Sequence, residues 1–292
     1  MRGYALVLVA TVLWSTLGPL TRTLLQNFSL PAISIAFLRA ALASSLTFVA
    51  LALTRRDLLR MPANAASHVL ALGIVGIGGF YAALAKGIEV AGIALLAVLT
   101  YMAPVWVTVV GAVALNEPLN SRKVVALALS LTGCALASKV YDIDAMIVSL
   151  PGIAIGLAAS VGYAAFAIFS KTLSGKCDPR AMLMYAYGIG AIVLLPFQSS
   201  DLARALQPAA WPLLAAIAIG PTLGAWGLFS LSLRFVPVSN AAIVTSLDVV
   251  FSNLAAFLLY RELLDFPQMI GGALILAAVA LLQLEPPNHP TT

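Results

Sequence analysis

Charge is what this sequence has least of. Only 9% of its 292 residues are Asp, Glu, Lys or Arg, against 62% hydrophobic, and the mean hydropathy is +1.03. A soluble domain could not cover its surface with so few charges. Histidine is nearly missing as well: His68 and His289 are the only two, which excludes a His-rich metal site. The two cysteines, Cys134 inside an apolar run and Cys177 in a polar loop, make no disulfide framework and suit a reducing compartment. The net charge of +5 is not gathered into a basic run of about five to eight residues, so nucleic acid is not an expected partner. H-E-x-x-H, G-x-S-x-G and Walker A motifs are absent too. We therefore expect no enzyme, no cofactor and no ATP-driven pump.

What is present is a succession of apolar runs. Each is near the roughly 20 residues that a helix needs to cross a bilayer. Ten spans are expected: Tyr4–Leu24, Ala32–Leu53, His68–Ala85, Ile93–Leu115, Val124–Ser138, Leu150–Ser170, Ala181–Phe197, Trp211–Leu233, Val238–Leu259 and Pro267–Leu284. The first follows Met1-Arg2-Gly3 and has the outline of a signal peptide. Trp14, Pro19 and the want of an A-x-A site speak for a retained span instead. The loops are short and rich in Pro, Asn and Asp. The tail, Glu285 to Thr292, carries three prolines and is expected to be disordered.

The chain repeats itself. Ile93 to Leu119 reads as a span with Pro104 in its middle, polar and aromatic residues around that proline, and Asn116-Glu117-Pro118 at its end. The same plan recurs in Val238 to Leu264, where Thr100 falls on Thr245, Glu117 on Glu262 and Leu119 on Leu264, a constant offset of 145. Trp14 falls on Tyr163, Arg22 on Lys171, Gly76 on Gly224, and Lys86 on Arg234. The connection around Ile88-Glu89-Val90 reads as three residues longer in the first half. Residues 1–145 and 146–292 are thus expected to be two five-helix repeats. Five spans each is an odd number, so the halves must lie upside down to each other, an architecture of transporters with a midplane site. With the N-terminus inside, ten of the 16 Lys and Arg fall on the cytoplasmic side, five outside, and Arg39 within a span. That bias orients both termini to the cytoplasm.

Asp248 is the eleventh residue of its 22-residue span and so lies near the midplane. A carboxylate there costs at least about 2.5–3.5 kcal/mol and faces a cavity or a partner. It stands either as a substrate-amine contact or proton site, or as half of a structural pair. Arg39 can hold a substrate carboxylate, pair with Asp248, or bind carbonyls freed at a helix break. Trp14, Tyr81, Tyr101, Tyr163, Tyr185 and Trp226 lie deep in spans rather than in the interfacial belts. For each of them cavity lining and plain packing are both open, and Trp14 with Tyr163, equivalent in the two halves, is the better cavity pair. Glu117 and Glu262 read as helix-end caps, and Asn120 and Asp265 as N-caps. The glycines of spans three and eight read as close-packing positions.

With ten spans in five-plus-five order, P-x12-E closing the fourth span, an echo at Glu262, and Arg39 in the second, the chain resembles the drug/metabolite transporter superfamily, EamA type. Within it the chain looks most like the YddG group of aromatic amino-acid exporters. Val249 departs from the pattern, since the family usually has a proline there. The resemblance implies an all-α integral membrane fold, ten transmembrane helices forming a basket around a central cavity in a bacterial inner membrane. It implies export of small amphipathic metabolites, aromatic amino acids first, with another solute such as an organic cation, or a passive channel, as rival readings. Trp14, Arg39, Tyr81, Tyr101, Tyr163, Thr245 and Asp248 are the expected substrate-binding residues. Proton coupling through Asp248, contact with membrane lipid, and a monomeric or weakly oligomeric state complete the expectation.

Overall fold

In the computed structural model the described residues are 2–142, 148–198, 202, 207–261 and 263–283. Glu262, the expected boundary between the halves at 145 and the tail from Glu285 lie outside them. The described residues form helices and no strand, apart from an isolated bridge between Ser174 and Cys177.

Nine helices among the described residues are long and apolar enough to cross a bilayer. They are α1 (Arg2–Phe28), α2 (Ala32–Thr54), α3 (Ala63–Gly92), α4 (Leu95–Ala114), α6 (Leu150–Leu173), α7 (Pro179–Phe197), α8 (Pro208–Ser232), α9 (Val238–Tyr260) and α10 (Phe266–Gln283). Between α4 and α6 lies α5 (Ser121–Ala137), whose 17 residues rise about 26 Å. This is a multi-pass membrane protein.

The end of the third span differs from expectation. The third span was expected to stop at Ala85, with a connection around Glu89, but α3 continues to Gly92. Its last turns carry Lys86 and Glu89, which pair at 2.7 Å one turn apart and keep a charged segment helical. The turn comes instead at Gly92, whose φ of +71° suits only glycine at no steric cost. Helix starts follow the expected chemistry. The Asn120 side chain accepts from Lys123 N at 2.8 Å, and Asp265 from Gln268 N at 3.0 Å.

Most of the helices nearest the centre are interrupted. α1 breaks at Thr16. α3 carries a π-helical segment at Leu72–Gly79 and α8 one at Ala218–Gly224. In α8 the cause is Pro221, which has no N–H for the α-helical ladder. α4 breaks at Tyr101–Met102 and α9 at Thr245–Ser246. By contrast α5 and α10 are continuous and pack tightly on each other: a Cβ at Gly133 would meet Gly271 O at 2.7 Å. α2 packs on α7, α6 on α3 and α4, and α1 on α8 and α9. The interrupted helices surround the middle of the bundle and leave there backbone that is not α-helical at depth. Such backbone is tolerated in a membrane where protein or a cavity covers it.

Candidate functional site

The broken helices converge on a cavity of about 270 Å³. Six of the seven expected site residues line it: Trp14, Arg39, Tyr101, Tyr163, Thr245 and Asp248. Tyr81 is not on its wall. That side chain is 1% exposed, with its ring under the Arg39 guanidinium, whose carbon is 3.8 Å from the ring centroid. A cation held over an aromatic face is attracted by the ring quadrupole, so Tyr81 positions Arg39.

Asp248 owes its place to the break in α9. It falls in the first turn of the half-helix Leu247–Tyr260, and its N–H bonds Thr245 O at 2.9 Å. A helix N-terminus carries partial positive charge and favours a carboxylate. The Ser252 hydroxyl contacts this carboxylate, yet Asp248 Oδ1 is buried without a hydrogen-bond partner. Arg39 Nε and Trp14 Nε1 are also buried without one. Among the described residues no ion pair joins Arg39 to Asp248, so that structural alternative is not realised here. Leaving such groups unsatisfied costs roughly 1–3 kcal/mol each, more when charged. The cavity therefore presents a spare cationic donor and a spare anionic acceptor to whatever enters it.

The wall between them is aromatic. Trp14 meets Trp226 at 4.7 Å between centroids and Tyr163 at 6.3 Å. Tyr163 meets Trp226 at 5.5 Å and Phe80 at 5.8 Å. The Tyr163 hydroxyl donates to Thr245 Oγ1 at 3.2 Å, which fixes the ring against α9. Phe80 and Ser246 line the cavity and were not singled out from the sequence. Phe80 has no polar tip to mark it, and it directly follows the π segment of α3, which changes the face a residue presents. Ser246 lies at the α9 break, with its hydroxyl 2.6 Å from Ser130 Oγ of α5. Tyr185, grouped in the sequence with the deep aromatics, instead donates to Leu59 O at 2.5 Å and lies away from the cavity.

The cavity extends to one side only. Along α3 its wall runs from Phe80 to Leu84 and Ile88, and along α4 from Pro104 back to Leu96, toward the α3–α4 turn. On the opposite side, Val7, Val107, Phe166, Phe229 and Ala241 are fully buried. Beyond that plug the bundle end is tied by polar contacts. Glu117 accepts from Val238 N at 2.6 Å and Ser239 N at 3.2 Å, and from the Ser239 hydroxyl. Lys171 Nζ donates to Leu233 O at 2.7 Å and Val236 O at 3.1 Å. Asn240 donates to the Tyr4 hydroxyl at 3.0 Å. Glu117 is thus a helix-end cap, as its sequence position implied, but the helix it caps is α9, in the other half of the chain.

A multi-pass bundle with broken helices around a part-polar, one-sided cavity is the form of a solute transporter. A family model, the EamA-like transporter family, matches residues 1–139 and 150–284, and the chain belongs to that family. Two uncharacterized transporters of Archaeoglobus fulgidus are similar to it. One is 29% identical over 65% of this chain and 66% of its own length. The other is 28% identical over 56% of each. The chain thus spans less than two thirds of these curated relatives. A solved crystal structure superposes with a TM-score of 0.82 at 18% identity, covering 97% of this chain and 96% of that one. At that identity the likeness shows the fold alone.

Proposed function

We propose that this transporter moves small zwitterionic metabolites, aromatic amino acids first, by alternating access around the central cavity. The observation that carries the reading is the pairing of an unpartnered Arg39 donor with an unpartnered Asp248 acceptor across one aromatic-walled space. Arg39 takes the substrate carboxylate, Asp248 the ammonium group, and Trp14, Phe80, Tyr163 and Trp226 the side chain. A volume of about 270 Å³ lies at the lower end of the roughly 300–1,000 Å³ of small-molecule sites. That favours a metabolite of amino-acid size over a bulky drug. An organic cation would use Asp248 but would meet the Arg39 charge, which is the reason it ranks second.

The two halves, residues 1–145 and 146–292, act as inverted repeats forming a basket. Helix pairings that match half to half support this, as do left-handed residues at Asn116 and Arg261, each just before the repeat's glutamate. Both termini face the cytoplasm of a bacterial inner membrane, and the Glu117 end is the cytoplasmic one. The cavity then opens outward in this conformation, and net flux is export. A carboxylate that changes charge as the site passes between dry and wet states couples protons to solute. The test is efflux of labelled amino acids from proteoliposomes with and without a pH gradient. Saturable, aromatic-preferring efflux is the expected result. Equal flux of all amino acids, growing linearly with concentration, would leave the channel reading.

A further inference from the structure

A second cavity lies elsewhere among the described residues. It measures about 710 Å³ and lies between α2, α7 and α8, sharing no wall residue with the central one. Its flank is open to the bilayer: Leu46 is 41% and Ile219 57% exposed, and both line it. From Leu46 to Thr54 the wall follows α2 over nine residues, about 12 Å of helix rise between the first and the last. The wall along this length is apolar apart from Thr47 and Thr54, whose hydroxyls are turned onto Ala43 O and Ala50 O of their own helix, and it ends in a charged rim of Asp178, Arg180 and Arg234 at the membrane surface.

The charges of that rim do not cancel. Asp178 is committed to Arg180, which reaches both carboxylate oxygens at 3.0 Å. Neighbouring Arg55 is likewise held by both oxygens of Asp57, at 3.0 and 2.9 Å. Arg234 feels the field of Asp178 but has no acceptor of its own among the described residues. Its counterpart in the first half, Lys86, is neutralised by Glu89 at 2.7 Å. Three residues after Arg234 the chain has Pro237, so no such partner exists.

We infer that this cavity is a binding site for an anionic phospholipid, with one acyl chain along α2 and α8 and the phosphate-bearing headgroup on Arg234. An apolar slot of this depth takes hydrocarbon, and a basic rim at headgroup level adds attraction for anionic lipid. The site would tie bilayer composition to α8, whose π segment and Trp226 separate the two cavities.

The experiment is native mass spectrometry of the delipidated full chain, titrated with phosphatidylglycerol or phosphatidylcholine of identical acyl chains. The wild type is expected to retain phosphatidylglycerol preferentially. Arg234→Gln should lower that preference about fivefold, equivalent to about 1 kcal/mol for one basic side chain beside an anionic lipid. Lys86→Gln should leave it unchanged. Gly227→Leu should weaken both lipids, because a Cβ at this wall position meets only Leu183 Cδ1, at 3.7 Å, and the rest of the side chain enters the cavity. Circular dichroism and melting temperature would verify that each variant is folded. Equal retention of the two lipids by the wild type, or an undiminished preference in folded Arg234→Gln, would overturn the assignment.

Discussion

The helices α4 and α9 match each other in sequence at an offset of 145 and each breaks near its middle, but by different means. In α4 the second half opens with Pro104, whose missing N–H is one that a helix start does not need. The break is written into the local sequence. In α9 the equivalent residue is Val249, and nothing covalent enforces the break. It is held by neighbours instead: Ser246 on Ser130 of α5, and Thr245 bonded to Ala242 O at 2.7 Å and to the Tyr163 hydroxyl of α6. A break made by tertiary contacts leaves room for a functional group at the new helix start, and Asp248 is there. In the first half that place belongs to Ala103. The two matching helices therefore differ in chemistry, with the acid at the break of α9 and the proline at the break of α4.

The comparison is tested most severely by removing its one charged member. Asp248→Asn keeps shape and hydrogen bonding but loses the charge. Loss of a charge-assisted hydrogen bond of about 1.5–3 kcal/mol corresponds to a fall of about 10- to 150-fold in transport. Flux assays on the folded variant measure it. Wild-type transport by this variant, with an unchanged response to a pH gradient, would take Asp248 out of the mechanism.

Next in size is the tertiary support of the α9 break. Ser130→Ala or Ser246→Ala alone leaves a buried hydroxyl without its partner and is expected to cost about 1–3 kcal/mol. The double variant should cost less than the sum of the two singles. Thermal melts of the three proteins in detergent read this directly, and strict additivity would mean that the two hydroxyls do not act as a unit.

Pro104→Ala should do much less. Alanine is accepted at a helix start, and the bend at Tyr101–Met102 is also held by packing, so transport is expected to change by less than about twofold. A loss as large as that of Asp248→Asn would show that α4, not α9, governs the site.

The smallest effect concerns the caps of α5 and α10. Asn120 cannot titrate, whereas Asp265 can. The Tyr141 hydroxyl, donating at 2.6 Å, holds the Asp265 carboxyl below its ordinary range, with Lys139 at 3.4 Å. A depressed folded value means that its stabilisation is present above the unfolded value of about 3.9 and is lost as pH falls through the folded one. Protection of the Gln268 amide, taken relative to its intrinsic exchange rate at each pH, should therefore fall in acid while that of Lys123 does not.

Much of this was legible in the residues. Apolar runs fix the helices because a bilayer admits little else. Offsets between matching residues carry the expectation of two halves, and the N-caps at Asn120 and Asp265 needed only local spacing. Asp248, Arg39 and the Trp14–Tyr163 pair stood out because polar and amphipathic groups are expensive at depth. What tertiary structure decided was which of several affordable arrangements is adopted. The sequence left Arg39 free to pair with Asp248, and only packing keeps them apart, one on Tyr81 and the other at the start of a half-helix. Phe80 joined the wall and Tyr81 left it because π segments shift a helix face, and such a shift depends on neighbours rather than on composition. Glu117 read as a cap from its place in the chain. That it caps α9 across the molecule follows from how the halves dock, which no local pattern encodes.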